Sequence, residues 1–265
     1  MSARNPLAEP AAFDYGKLAH PPVTFRQEKL KGDERIPAAR RYIAANALNE
    51  RFGGDRAGLG LIVQGGLYHS LIRALQQLGL ATAFGDADVA ILVLNVVHPL
   101  VPDEIAAFCR GKRAVLVLEE GQPEFIEQEI LAQLRRAGVA TPVTGKGPLP
   151  MAGEYTVEII ARGLVQFVAA HAPEVPLTEG NAWLAATAAR RDEIARQLGK
   201  PLPGRPPQFC VGCPERPVFA ALKLAQQDIG PVHVAGDIGC HAFATFEPFS
   251  MGHSILGYGM SLQPS

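Results

Sequence analysis

Three apolar runs, each the length of a strand, constrain this chain more than anything else in it. Leu59 to Val63, Val89 to Leu94 and Ala114 to Leu118 are almost unbroken in Val, Ile and Leu. Runs of this kind suit strands buried on both faces, as in a parallel sheet covered by helices on each side. The stretches between them carry helical spacing. Leu67, Leu71, Ile72, Leu75 and Leu78 form one apolar face that stops at Gly79. A short helix is predicted over Asp103 to Cys109 behind Pro102, and another over Glu124 to Arg136. A short strand near Val139 to Val143 and a helix from Tyr155 to Ala170 complete the unit. Alternating strands and helices define an α/β fold, a doubly wound and mostly parallel sheet over residues 58–172.

The flanks read differently. Residues 1–57 are expected to be an extended lead-in to about residue 35, where His20-Pro21-Pro22 cannot continue a helix. A helix from Ala38 to Arg51 follows, with Pro37 in its first turn and Gly53-Gly54 as its end. Residues 173–207 are expected to hold a helix from Thr178 to Leu198 and then a proline-rich linker. Residues 208–265 carry a helix from Pro214 to about Gln227 and a strand over Val232 to Ala235. A small-residue helix is expected to begin at Met251. One strand cannot bury an apolar face by itself, so this last domain reads as incomplete.

A formal net charge of −1 makes no electrostatic case for nucleic acid or an anionic membrane as partner. Four cysteines in 265 residues do not make a disulfide scaffold and fit a reducing cytoplasm with free thiols. Three of the four lie in two neighbouring turns, Cys210-Val211-Gly212-Cys213 and Gly236-Asp237-Ile238-Gly239-Cys240. Thiols two residues apart can reach one metal or cluster, or form a redox dithiol at a helix start. Structural zinc needs four ligands, and a dithiol has no use for Cys240. Cys109, in the middle of a predicted helix, reads as a core thiol. Asp237, between two glycines at a strand end, suits either a bound cation or a local turn. His69, His241 and His253 read as satisfied structural histidines before they read as ligands. Gln64-Gly65-Gly66 lacks a dinucleotide fingerprint and reads as a tight turn. Glu119 and Glu120 end a strand where α/β sheets bind ligands, yet adjacent strand residues point to opposite faces. At most one of them faces a crevice, and the pair reads first as a solvated turn.

Taken together, Cys210-Val211-Gly212-Cys213-Pro214-Glu215-Arg216, Gly236 to Cys240 and Ser250-Met251-Gly252-His253-Ser254 resemble a known family. It is that of the indolepyruvate:ferredoxin oxidoreductase large (alpha) subunits, within the thiamine-diphosphate-dependent 2-oxoacid:ferredoxin oxidoreductases. Its members show Cys-Pro-Gly-Cys-Pro-His-Arg, Gly-Asp-Ile-Gly-Cys and Cys-Met-Gly-Ala-Ser at these places. Val211, Glu215, Ser250 and His253 are departures. Upstream, Arg35 to Arg41 and Leu116 to Pro123 also resemble the family, so the likeness runs from about Asp14 onward.

The resemblance implies that residues 58–172 form a transketolase-C-terminal-like domain. Residues 208–265 would then begin the domain that binds thiamine diphosphate. It further implies oxidative decarboxylation of an aryl 2-oxo acid to the acyl-coenzyme A, with ferredoxin taking the electrons. Gly236, Asp237, Ile238, Gly239 and Cys240, with Met251, Gly252, His253 and Ser254, would line the cofactor. Cys210, Cys213 and Cys240 would be iron–sulfur ligands. The pyrimidine-binding domain would precede residue 1, and most magnesium ligands would follow residue 265. The implied partners are a smaller (beta) subunit or the remaining domains, in an oligomeric enzyme. Two rival readings stay open: a cysteine-based metal or redox module without thiamine chemistry, and a non-catalytic scaffold for subunit contact.

Overall fold

The computed structural model describes residue 21, residues 23–204 and residues 207–257. The first 20 residues of the expected lead-in, and residues 258–260 of the expected small-residue helix, lie outside them. The chain divides into two compact units, residues 1–193 and 194–265. The division falls inside the helix α7 (Thr178–Leu198).

In the first unit the strands are β1 (Glu50–Phe52), β2 (Leu59–Gln64), β3 (Ala90–Leu94), β4 (Ala114–Leu118) and β5 (Val143–Thr144). They lie in the order β1-β3-β2-β4-β5, parallel except for β1. Alternation along β4 shows how the sheet is covered. Ala114, Leu116 and Leu118 join one buried cluster with α3 (Tyr68–Gln77) and α6 (Val157–His171). Val115 and Val117 join another with α4 (Pro102–Cys109) and α5 (Phe125–Arg136). All five residues of β4 are buried, which explains the unbroken apolar run. Each buried aliphatic side chain contributes about 1.5–3 kcal/mol, and the two clusters make helices necessary on both faces. Gly79, at φ 71°, ends α3, and Leu80 N donates back to Leu75 O at 2.8 Å. Gly60 keeps β2 clear of α4: a Cβ there would stand 3.1 Å from the Phe108 ring and 2.6 Å from Lys112 Cδ.

Three expectations are corrected. The described part of the lead-in is helical: α1 (Thr24–Leu30), a π-helical turn (Lys31–Arg35) and α2 (Ile36–Ala45) run on without a break. The wide turn sits just ahead of Pro37, whose ring clashes with the carbonyl four residues back in a regular α-helix. Second, that helix stops at Ala45 instead of Arg51. Ala47 turns left-handed at φ 47°, and residues 50–52 pair antiparallel with β3. Asn49, buried, pins this edge by donating to Glu104 Oε2 at 2.8 Å and accepting from Val96 N at 3.0 Å. Third, the second unit has two strands among its described residues. They are β6 (Ala235–Asp237) and β7 (Ser254–Leu256), parallel, behind the helix α8 (Glu215–Ile229). Residues 254–256 are therefore strand where a helix was expected, because their backbone finds a partner in β6.

Candidate functional site

In the second unit the cysteine loop is held by its aromatic neighbours. Phe209 stacks on Phe219 at 5.6 Å between ring centroids and meets Phe249 and Phe243 edge-on at 5.7 and 6.1 Å. Phe219, Ala244 and Met251 form the buried centre of this small core. The anchoring residue was not singled out from sequence, although Phe209 adjoins Cys210. Cys213 N donates to Cys210 O at 3.1 Å, closing a turn in which Gly212 takes φ 77°. All three thiols are free; Cys210 and Cys240 are exposed, and Cys213 is half-buried. Among the described residues, no three His, Cys, Asp or Glu side chains group so as to hold a metal ion. The thiols of Cys210, Cys213 and Cys240 are thus not assembled as a cluster site here. Cys109 is buried among α4 and α5, and burial raises its pKa to about 11.

The two stretches expected to line a cofactor do come together. Gly236 pairs with Ile255, and Asp237 with residue 256, so the glycine turn lies beside the segment that follows Met251. His253 N donates to Val234 O at 2.9 Å, and Val234 N donates to His253 Nδ1 at 3.0 Å. His253 therefore ties the strands together. Ser254 Oγ is 2.6 Å from His233 Nε2. Met251 is buried in the aromatic core and Cys240 points outward to solvent exposure, while Ile238 is exposed as well.

His241 occupies the inside of the glycine turn. A Cβ on Gly236 would stand 3.2 Å from its ring, and one on Gly239 3.1 Å. A side chain at either glycine would press on the imidazole, which would have to shift by a few tenths of an ångström. His241 Nε2 is buried and has no hydrogen-bond partner among the described residues. It opens on a cavity of about 340 Å³ lined also by Asp237, Val218, Phe219, Leu222 and Ile255. An apolar cavity with a carboxylate and an imidazole at a strand end suits a ligand with an apolar ring and a cationic or hydrogen-bonding edge.

This is the setting in which likeness to known proteins becomes informative. The chain is similar to the IorA subunit of indolepyruvate oxidoreductase. It is 28% identical to that of Methanothermobacter marburgensis over 250 residues, covering 91% of this chain and 36% of that protein. The Methanothermobacter thermautotrophicus subunit gives 28% over 252 residues, covering 92% and 36%. That of Thermococcus kodakarensis gives 27% over 238 residues, covering 86% and 33%. No family model matches. The resemblance carried by the cysteine and glycine turns therefore extends over about nine tenths of the chain. The chain spans about a third of the length of the curated relatives it matches.

In the first unit the paired glutamates at the end of β4 part as strand geometry requires. Glu119, 6% exposed, accepts from Ile126 N at 3.0 Å and Glu127 N at 3.1 Å, filling the first turn of α5. Glu120 faces the other way and accepts from Tyr155 N at 2.5 Å. Beside them lies a network that sequence patterns do not reveal. Lys146 Nζ donates to Glu119 O, Gly121 O and Tyr155 Oη at 2.5, 2.7 and 2.8 Å. Glu127 accepts from Gly145 N and Lys146 N, both at 3.0 Å. Burial lowers the Lys146 pKa against the pull of four carboxylates, and burial raises that of Tyr155 to about 12. With its three protons used, Lys146 is a clamp on the β4 and β5 loops.

Proposed function

We propose that this chain is part of an oxidoreductase that oxidatively decarboxylates an aryl 2-oxo acid of the indolepyruvate kind. Thiamine diphosphate is its cofactor, coenzyme A accepts the acyl group, and ferredoxin takes the electrons. The observation that carries this reading is the likeness to IorA subunits over about nine tenths of the chain. It is supported by Gly236–Asp237 and residues 254–256 lying side by side. A protein named as a subunit has partners, so we assign this chain to an oligomer with a smaller subunit or the enzyme's other domains. Residues 58–172 would be its transketolase-C-terminal-like module.

The chemistry thiamine diphosphate supplies when bound is an electron sink for the carbon left as a 2-oxo acid loses carbon dioxide. This chain's residues fit one wall of such a site. Gly236 and Gly239 leave the backbone uncovered for close approach. Asp237 offers a hard oxygen donor suited to magnesium. His241 Nε2 can hold a hydrogen bond to a bound ring or carboxylate, and Phe219 and Leu222 line the same cavity with apolar surface. The three thiols, as they lie here, do not fit a shared cluster, and no electron step is routed through them.

The test is calorimetry of thiamine diphosphate with magnesium, on the chain together with its co-purifying polypeptides, beside anaerobic viologen reduction by aryl 2-oxo acids. Binding is expected to weaken at least about tenfold in Asp237→Asn, with turnover falling in step. A complex that oxidises these acids without added or bound thiamine diphosphate overturns the reading. So does one that binds the cofactor equally well after Asp237→Asn.

A further inference from the structure

A cleft within the first unit gathers positive charge. Arg51 pairs with Leu92 in the antiparallel register of β1 and β3, and Leu92 belongs to the cluster covered by α4 and α5. Strand alternation therefore sends the Arg51 side chain to the α4 face of the sheet. There its guanidinium carbon lies 6.0 Å from the centre of the Phe108 ring, and Lys112 Nζ, just past the end of α4, lies 5.2 Å from the same ring. Arg110 lines the cleft with them, beside Ala107. Lys112 is fixed in place: its side chain is 13% exposed, and its stem lies against Gly60. The volume is about 410 Å³, within the roughly 300–1,000 Å³ usual for small-molecule sites. The cleft sits at the start of β3, whereas α/β sheets ordinarily take ligands at the carboxyl ends of their strands. Charge, and not topology, is what marks it.

These cations outnumber their partners. Among the described residues no Asp or Glu lines the cleft. The one carboxylate in ion-pair contact with the three is Asp55, 3.1 Å from Lys112 Nζ and itself exposed. Arg51 Nη2 donates to the Glu104 carbonyl at 3.0 Å, a bond that leaves its charge without a counter-ion, while Glu104 Oε2 accepts from Asn49 Nδ2. Arg110 has no ion pair among the described residues. Nor are these side chains spent on capping α4. Ala106 O and Cys109 O accept from the backbone amides of Arg110 and Lys112 at 3.0 and 3.1 Å, and Cys109 O also from Thr141 Oγ1 at 2.7 Å. Two of the charges act on one place: burial raises the Cys109 pKa, and Lys112 and Arg51 both pull against that rise. Like charges gathered in this way repel one another, and Asp55 offsets one of the three. An arginine fork and a lysine ammonium are the groups that hold phosphate oxygens. A phosphate monoester carries about −1.5 to −2 near pH 7, which matches the excess better than the single charge of a carboxylate.

We propose that this cleft binds a doubly charged phosphate group, free or carried on a small molecule, with Arg51 and Arg110 as its principal donors and Lys112 beside them. The site shares no residue with the glycine turn of the second unit, so its failure would leave the proposed function untouched. Inorganic phosphate and phenyl phosphate are the probes, with acetate at matched ionic strength as the singly charged control. Each is titrated into the full chain without magnesium and followed by backbone amide NMR. Both phosphates are expected to shift the Arg51, Arg110 and Lys112 amides saturably, and acetate is expected to leave them in place. Tighter binding of phenyl phosphate would assign an ester as the ligand, and equal binding the free ion. Arg51→Gln and Arg110→Gln, both at exposed positions, should each weaken phosphate about tenfold. Arg73→Gln, on α3 across the sheet, removes the same charge from the chain and should leave the affinity unchanged. No saturable shift at these amides, equal shifts with acetate, affinity unchanged in both cleft variants, or an equal loss in Arg73→Gln would each overturn the proposal.

Discussion

Tyr155 illustrates how little a single residue's type says before its neighbours are known. Its hydroxyl donates to Pro150 O at 2.6 Å and accepts from Lys146 Nζ at 2.8 Å. Burial first, and then the Glu119, Glu120 and Glu127 charges, hold the phenol protonated up to about 12. A folded-state pKa above the ordinary 10.0 means that the native state keeps a proton the unfolded chain releases. The contribution is full below 10.0 and is lost as pH rises through about 12. Lys146, whose pKa burial lowers, works in the opposite direction and gains stability as pH approaches 10.5. In Tyr155→Phe the alkaline loss should shrink. Urea denaturation at a series of pH values checks this, and equal slopes for the two proteins would show that Tyr155 is not the group responsible.

At the scale of an element, α5 depends on a residue outside itself. Its own first-turn residues provide no side-chain cap. The cap comes from Glu119, buried at the end of β4, so one carboxylate joins a strand end to the helix that follows. Glu119→Ala removes that acceptor and leaves two amides unsatisfied in a buried place, at a cost of about 2–3 kcal/mol. Glu119→Gln keeps one acceptor oxygen and should cost less, about 1–2 kcal/mol. Denaturant midpoints rank the two, and a Gln variant no more stable than the Ala variant would rule out capping as the reason. The same element scale explains β1. Its three residues are all exposed, and their pattern alone could not distinguish a strand from the last turn of a helix.

For the whole molecule, the division into two units has a physical basis in the cores. The first unit buries two large clusters on opposite faces of one sheet, whereas the second buries Phe219, Ala244 and Met251 under a two-stranded sheet. A chain of residues 1–198 contains both large clusters in full. It should unfold cooperatively, with a Tm within a few degrees of the main transition of the full chain. Scanning calorimetry and far-UV circular dichroism decide it. A non-cooperative melt would mean that residues 199–265 contribute to the first unit's core.

The central sheet was legible because burial on both faces demands continuous apolar strands, and helices packed on each face demand a 3.6-residue spacing. Leu59 to Val63, Val89 to Leu94 and Ala114 to Leu118 carry that requirement in their own composition. The glycine and cysteine turns were legible as a resemblance, and whole-chain similarity supports it. Tertiary structure alone decided what depends on partners far along the chain. Residues 50–52 and 254–256 became strands because β3 and β6 offered unpaired edges. His241 came to sit on Gly236 and Gly239 because the turn folds back over itself. Strand alternation already parted Glu119 from Glu120, but that α5 and Tyr155 would receive them is encoded in no local pattern. Spacing shows which side chains can meet; the path of the backbone between them determines which ones do.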